Sequence, residues 1–262
     1  MYRWDAKGYS RNSANQKRWA QGLLRRIRFH GDESVLDIGC GDGKITCWIA
    51  HRVPRGRVKG IDNSHGMIRV ACAARDGRYR NLSFVKKDAC CLGMEEKFDV
   101  VFSNACFHWI PDQKKLLKSV YAALKPGGRL VVQMGAKGNF ANMIKVSNKI
   151  TRRKKWRRFF TDFTLPYYFF TPEKYAGFLK GQGFKVVAMS TFVTAMEFSG
   201  KKDCADSLRT IWMPYLHRVP RVLREALLDE TVEQYIKDYP PDKKGTVRIG
   251  MKRLEFQARK PV

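Results

Sequence analysis

Along most of this chain, short runs of apolar residues alternate with longer stretches in which apolar positions recur every three or four residues. Trp19, Leu23, Leu24 and Ile27 predict a helix over 13–29. Strands are then expected at Val35–Gly39, Arg57–Asp62, Leu82–Asp88 and Phe98–Ala105. Helices are expected at Gly43–Arg52, Ser64–Arg75 and Asp112–Leu124, the last with Asp112 as its cap. Lys125-Pro126-Gly127-Gly128 should stop that helix and turn the chain into a strand at Arg129–Met134, because proline cannot continue a helix. This alternation implies parallel strands joined by helical crossovers.

After residue 137 the rhythm loosens. A helix is expected at Thr171–Gly181 with Pro172 in its first turn, and a strand at Lys185–Val193. Two helices are expected within 200–238, split near Pro220, and a last strand at Thr246–Arg259, irregular at Gly250. The whole reads as a single α/β domain over 1–262, with a mostly parallel sheet whose last strand is antiparallel. Its expected parts are an N-terminal lid segment at 1–30, a ligand-binding half at 31–137, and helical lid insertions at 138–170 and 200–238.

Composition narrows the class. With 262 residues, 44% hydrophobic and 12% aromatic, the chain can bury a large core. It holds no run of about 18 apolar residues, and its polar start lacks the apolar stretch of a secretion signal, so a cytoplasmic location is expected. Seven cysteines without a C-x-x-C pair, and five histidines without ligand spacing, predict reduced thiols and no metal.

The charge is unusual: 51 Lys+Arg against 24 Asp+Glu, or +27. The excess is spread along the chain, with 28 basic against 12 acidic residues in 1–150 and 23 against 12 in 151–262. The densest cluster is Arg152-Arg153-Lys154-Lys155-Trp156-Arg157-Arg158. Such a charge suits either a polyanionic partner or a solvated basic surface.

The chemistry concentrates where the first strand meets the first crossover helix. Asp37-Ile38-Gly39-Cys40-Gly41-Asp42-Gly43 gives the spacing D-x-G-x-G-x-G, in which glycines let the backbone turn sharply beside a ligand. A nicotinamide dinucleotide would call for G-x-G-x-x-G, but Lys44 and Ile45 follow Gly43. Asp62 and Asp88 close the second and third strands on the same edge. One carboxylate can accept from two ribose hydroxyls and the other from an adenine amino group. Each alone would read as a helix cap; three acidic strand ends with the glycine loop form one pattern.

VLDIGCGDGKIT, GIDNSHGMI, VKKDA, FDVVFSNACFHWI and LKPGGRLVV resemble the successive motifs of class I S-adenosylmethionine-dependent methyltransferases, over about 35–135. Trp4-Asp5, Tyr9, Asn104-Ala105, His108-Trp109 and Arg253-Leu254-Glu255-Phe256 are similar to the trans-aconitate, juvenile-hormone-acid and malonyl-carrier-protein methyltransferases. The resemblance implies a Rossmann-like sheet and S-adenosyl-L-methionine as cofactor. It implies that Asp37, Gly39, Cys40, Gly41 and Gly43 hold the methionine part and that Asp62 binds the ribose. Asn63 and Met67 would lie near the adenosine, Asp88 and Ala89 at the adenine, and Asn104 at the reacting end. Trp4, Tyr9 and Gln16 would close over the cofactor.

Asn104 and His108 are the candidate catalytic residues, and His108, Trp109, Trp212 and Tyr215 the candidate substrate contacts. His108 reads equally as a packed rim residue, and Trp109 as a wall. Cys106 reads as a small packed residue, since the nucleophile of cytosine-methylating RNA enzymes follows proline. Ser103-Asn104-Ala105-Cys106 also departs from the Asn-Pro-Pro-Tyr of amino-methylating enzymes. Without an evident base–nucleophile pair, the sequence points to O-methylation of a carboxylate on a small or carrier-bound acid. Two alternatives stand beside it: an RNA methyltransferase using its basic surface, and a cofactor-binding protein without catalysis. The sequence assigns no oligomeric state.

Overall fold

The computed structural model describes residues 14–25, 27–75 and 77–262. Its elements follow the apolar pattern closely through the first half. Helix α1 (Ala14–Leu24) precedes strand β1 (Ser34–Ile38), α2 (Lys44–Arg52), β2 (Arg57–Asp62), α3 (His65–Arg75) and β3 (Leu82–Lys86). Strand β4 (Phe98–Asn104), α4 (Gln113–Ala123) and β5 (Leu124–Gly135) continue the series. After these come α5 (Ala141–Thr151), α6 (Pro172–Gly181), β6 (Lys185–Phe198), α7 (Lys201–Ile211), α8 (Met213–Leu216), α9 (Arg224–Asp238) and β7 (Val247–Arg259).

One seven-stranded sheet runs in the order β3-β2-β1-β4-β5-β7-β6. The pairs from β3 through β5 are parallel, and β7 runs antiparallel to β5, as the sequence predicts. Successive residues of the central strands point to opposite faces, which explains the unbroken apolar runs. Leu36, Ile38, Val101, Leu130 and Val132 join one core with Leu116 and Val120 of α4 and Tyr175 and Leu179 of α6. Val35, Val100, Phe102 and Val131 join the other with Leu23 and Leu24 of α1, Ile49 of α2 and Ala71 of α3.

Contacts divide the chain into two compact units. One, the sheet unit, comprises Ser13–Lys137, Tyr167–Phe192 and Arg253–Val262; the described part of the other, the helical unit, comprises Gly138–Pro166 and Val193–Lys252. Within the helical unit, Trp212 stacks on Tyr215 with centroids 5.3 Å apart. Trp212 Nε1 donates to Ser147 (2.9 Å) and Tyr215 Oη to Asn148 (2.9 Å).

Four local expectations need correction. Lys125–Gly128 is no separate turn: it is a bulge inside β5, with Phe98 opposite Leu124 and Val100 opposite Arg129. Gly127, at φ 74°, supplies the left-handed kink, and the backbone around Lys260 pairs with Gly127 and Gly128. The stretch 200–238 breaks near Pro220 as expected, but also once earlier, between α7 and α8, because Pro214 cannot supply an interior helical N–H. The segment 138–170 is helical only through α5 and a single 3₁₀ turn at Arg157–Phe159. Its end, 167–170, is extended and belongs to the sheet unit, where Phe170 bridges to Ala136. Gly250 is not irregular either, since β7 runs through it with alternating burial.

A close approach with a positive φ, 76°, lies at Gly39. A Cβ there would come within 2.4 Å of Cys106 Cβ and 2.5 Å of its Sγ. Gly39→Ala should therefore cost about 2–4 kcal/mol, from overpacking and left-handed backbone together, read as a lowered midpoint of chemical denaturation. Cys106→Gly should recover part of it, whereas Cys106→Ala, which keeps the offending Cβ, should recover little.

Candidate functional site

The glycine loop is fastened to the end of β2. The N–H groups of Gly39 and Cys40 both donate to Ile61 O (2.8 and 3.0 Å), and Gly41 N–H donates to Asp62 Oδ2 (3.1 Å). Asp62 Oδ1 accepts from Ser64 N–H (2.8 Å) at the start of α3. The three glycines have separate reasons. Gly39 faces Cys106, and Gly43, at φ 80°, is closed in by Phe84 and Ala71, where a Cβ would sit 2.7 and 2.9 Å from side-chain atoms. Gly41, at φ 53°, carries the link to Asp62.

Two carboxylates flank this loop, Asp37 buried and Asp62 half-buried. Asp37 accepts from Thr46 Oγ1 (2.7 Å), and burial pushes its pKa up to about 7, against the Thr46 bond and with the help of Asp62. Burial also raises the pKa of Asp62, offset by N–H groups of Ser64, Gly41 and Asn63. A carboxylate held by backbone donors keeps further lone pairs, which suits the hydroxyls of a ribose. Asp88 differs. It is exposed, lies two residues past β3, and caps the turn at Ala89–Cys91 by accepting from Cys90 N–H (2.8 Å). Ala89 and Met67 are buried, and Asn63 is exposed.

A second group of side chains gathers at the far ends of β4 and β5. Asn104 stands opposite Gln133, and Gln133 opposite Glu255 of β7, so three polar side chains share one row across the sheet. Gln133 is buried; its Nε2 donates to Glu255 Oε1 (2.6 Å), and its Oε1 accepts from Arg253 Nη2 (3.3 Å). The Arg253 guanidinium lies 5.0 Å from the centre of the Trp19 ring. Beyond the row, Ala105 turns through a left-handed conformation, φ 56°.

His108 is buried among Trp109, Tyr167 and Phe169, with centroids 5.6–6.0 Å away. Its Nδ1 accepts from Gly135 N–H (3.3 Å), which leaves the ring proton on Nε2. Burial, then the charge of Arg253, lowers its pKa to about 3, so the imidazole is neutral. Trp109 meets Tyr167 edge to face at 4.6 Å. Cys106 is a half-buried thiol whose pKa is raised by burial and by Asp62 and Asp37, the opposite of an activated nucleophile.

The structure thus brings Asp37, Gly39, Cys40, Gly41, Gly43 and Asp62 together at one loop. Asn104, His108 and Trp109 lie at the ends of β4 and the turn after it. Trp212 and Tyr215 are core residues of the helical unit, with their polar atoms engaged as described. Trp4 and Tyr9 lie outside the described residues, as does the side chain of Gln16. Sequence reasoning missed Gln133, Tyr167 and Phe169, and attached no role to Arg253 and Glu255. A glutamine inside Leu-Val-Val-Gln-Met was the available signal, as were an arginine and a glutamate two apart on one strand face.

Comparison with known proteins points to methyl transfer. Residues 35–128 match the model of a methyltransferase domain. The chain thus carries a methyltransferase domain, on a sheet with the Rossmann-like fold of class I S-adenosylmethionine-dependent methyltransferases. An uncharacterized methyltransferase of Schizosaccharomyces pombe is 29% identical, with 98% of both chains aligned. The trans-aconitate 2-methyltransferase of Shigella flexneri serotype 5b is 32% identical over 62% of this chain and 61% of its own; that of Rhodopseudomonas palustris is 37% identical over 51% of each. The chain thus spans only half to three fifths of the two trans-aconitate methyltransferases. Among solved structures, Haemonchus contortus phosphoethanolamine N-methyltransferase 2, in complex with S-adenosyl-L-methionine, superposes with a TM-score of 0.61. The identity is 21%, over 98% of this chain and 57% of that one, and the likeness is one of fold.

Two measurements check the site. Calorimetry should show cofactor binding lost in Gly41→Val, which crowds the loop, and weakened at least tenfold in Asp62→Ala, with both variants folded. The second concerns pH. The unfolded Asp37 carboxyl ionises near pH 4, the folded one near 7, so the native state holds the extra proton and stability falls as pH rises between those values. Denaturation at pH 5 and pH 7.5 should show a loss of up to about 1.4 kcal/mol per unit across that window. Asp37→Asn, whose amide oxygen still accepts from Thr46, should flatten it.

Proposed function

We propose that this methyltransferase forms methyl esters on a carboxylate of a small or carrier-bound organic acid, at the ends of β4 and β5. The observation that carries this reading is the state of His108. A neutral imidazole with a pKa of about 3 is far too weak a base to take a proton from an alcohol, phenol or ammonium group near pH 7. A carboxylate is already ionised there and asks for no base. The buried Arg253 supplies positive charge beside the same imidazole, and a guanidinium can grip a carboxylate through two parallel N–H bonds. The named activity of the trans-aconitate relatives supports the same acceptor class.

When bound, S-adenosylmethionine supplies a methyl group on a sulfonium centre. Asp62 would accept from the ribose hydroxyls, and Asp37 and the Gly39–Gly43 loop would hold the methionine portion. Asn63, Met67, Asp88 and Ala89 would surround the adenosine, with Asn104 at the reacting end. An acceptor that is already ionised would ask no residue of the chain to take a proton. What the chain contributes is alignment and exclusion of water, with His108, Trp109, Tyr167 and Phe169 as the aromatic wall.

Labelled cofactor offered with di- and tricarboxylic acids, fatty acids and acyl-carrier substrates should yield base-labile methyl esters. Label confined to an amine, phenol or nucleobase would refute the acceptor class. His108→Asn, whose amide oxygen can replace Nδ1 as acceptor for Gly135, should retain activity within about tenfold, against the 10²–10⁴ of a lost general base. Arg253→Lys should raise KM for the acid about tenfold while kcat changes less, because the paired donors go and the charge stays.

A further inference from the structure

At the amino ends of β1, β2 and β3, three loops of the sheet unit converge. The first leads into β1, the second joins α2 to β2, and the third joins α3 to β3. Arg55 N–H donates to Gly31 O (2.8 Å) and Arg57 N–H to Glu33 O (3.0 Å), which ties the second loop to the first. Asn81 Nδ2 donates to both Ala50 O (3.0 Å) and Val53 O (2.9 Å), and Val58 N–H to Asn81 O (2.8 Å), which ties the third to the second.

These loops are rich in one cation. Arg28 comes from the first, Arg52, Arg55 and Arg57 from the second, and Arg75, Arg78 and Arg80 from the third; all are exposed. Arg55 also donates to His30 O (3.0 Å) and Arg75 to Leu82 O (2.9 Å), so both side chains are anchored by backbone oxygen with their charge uncancelled by that contact. Among the described residues of these loops, the carboxylates are the exposed Asp32 and the buried Glu33, whose oxygens receive His30 and Gly31 N–H. Half-buried aromatic rings sit among the arginines: Trp48, with the Arg52 guanidinium 4.9 Å from its ring centre, and Tyr79.

The sequence-predicted cluster at 152–158 is different. In the helical unit, Arg153, Lys155 and Trp156 Nε1 all converge on Glu230 (3.3, 2.7 and 2.9 Å), so part of that charge is answered within the protein. Arg209 is likewise paired, with Asp206 and Glu225, both at 2.6 Å.

We propose that the arginine-rich amino edge of the sheet is a docking surface for the phosphate backbone of single-stranded RNA. Guanidinium groups match phosphate oxygens two at a time, and the half-buried rings beside them can stack with bases without selecting a sequence. A lipid surface would favour an amphipathic helix with apolar residues aimed outward, whereas this edge presents arginine on loops pinned by hydrogen bonds. The surface lies at the opposite strand ends from the glycine loop and Asp62, so an RNA held there leaves the cofactor edge open. This inference is independent of the acceptor class proposed above.

Fluorescence anisotropy with a labelled 30-nucleotide RNA of mixed sequence tests it. The wild type should bind with an affinity that falls steeply with salt. The triple variant Arg52→Gln, Arg57→Gln, Arg80→Gln should bind at least tenfold more weakly at 100 mM salt, with the slope of log K against log salt reduced by about 2, for three lost phosphate contacts. Cofactor affinity by calorimetry should be unchanged in that variant, which shows that it folds. A control variant, Lys145→Gln, Lys149→Gln, Arg152→Gln, removes three cations of the helical unit and should keep most of the RNA affinity. The proposal is overturned if the amino-edge variant binds RNA as the wild type does, if the control loses the binding instead, or if the wild type prefers anionic phospholipid vesicles to RNA at equal salt.

Discussion

The carboxylate of Asp62 joins two pieces of chain that the sheet alone would leave independent. One oxygen receives the N–H of Gly41 and the other that of Ser64, so the loop after β1 and the start of α3 are held by a single side chain at the end of β2. The loop has no regular structure of its own and takes its shape from this anchor and from the two bonds to Ile61 O. Its glycines then answer to different neighbours: Cys106 on one side, Phe84 and Ala71 on the other. A half-buried anion carries a desolvation cost, offset here by backbone donors. That balance makes the loop rigid where a ligand must meet pre-placed groups.

Much of this was legible in the sequence because each cue was local. Strand β1 and helix α2 have their period written in consecutive residues, and the D-x-G-x-G-x-G spacing places its own turn. Asp112 and Thr171 cap α4 and α6 through bonds to residues three positions on, and both were readable as caps or helix starts. What escaped was non-local. The row from Asn104 through Gln133 to Glu255 exists only once β5 and β7 pair antiparallel in one register, and no spacing along the chain encodes that register. The same holds for Tyr167 and Phe169, whose segment joins the sheet unit after an excursion through the helical one. Trp212 and Tyr215 looked available as ligand contacts because aromatic residues near a lid attract that reading; their hydrogen bonds to Ser147 and Asn148 show them packed inside.

Charge gives a related lesson about density and exposure. The run at 152–158 is the densest basic stretch, yet Trp156 is fully buried and Glu230 gathers two of its cations. The arginines before β1, β2 and β3 are scattered over more than fifty residues and form no conspicuous run. They converge because parallel strands bring every second connection to the same sheet edge. In an α/β fold, a basic surface can thus be assembled from residues that look sparse in one dimension.

The side-chain amide of Asn81 joins the end of α2 to the loop before β3 through two donated bonds, to Ala50 O and Val53 O. Asparagine is also a residue that ages, by losing its amide nitrogen to become aspartate. Here the change would replace a two-handed donor with a carboxylate facing two carbonyl oxygens, and would set a new negative charge among the arginines around it. Slow chemical damage at one position would loosen the junction and weaken the local positive field together, so the shelf life of this edge is tied to a single amide.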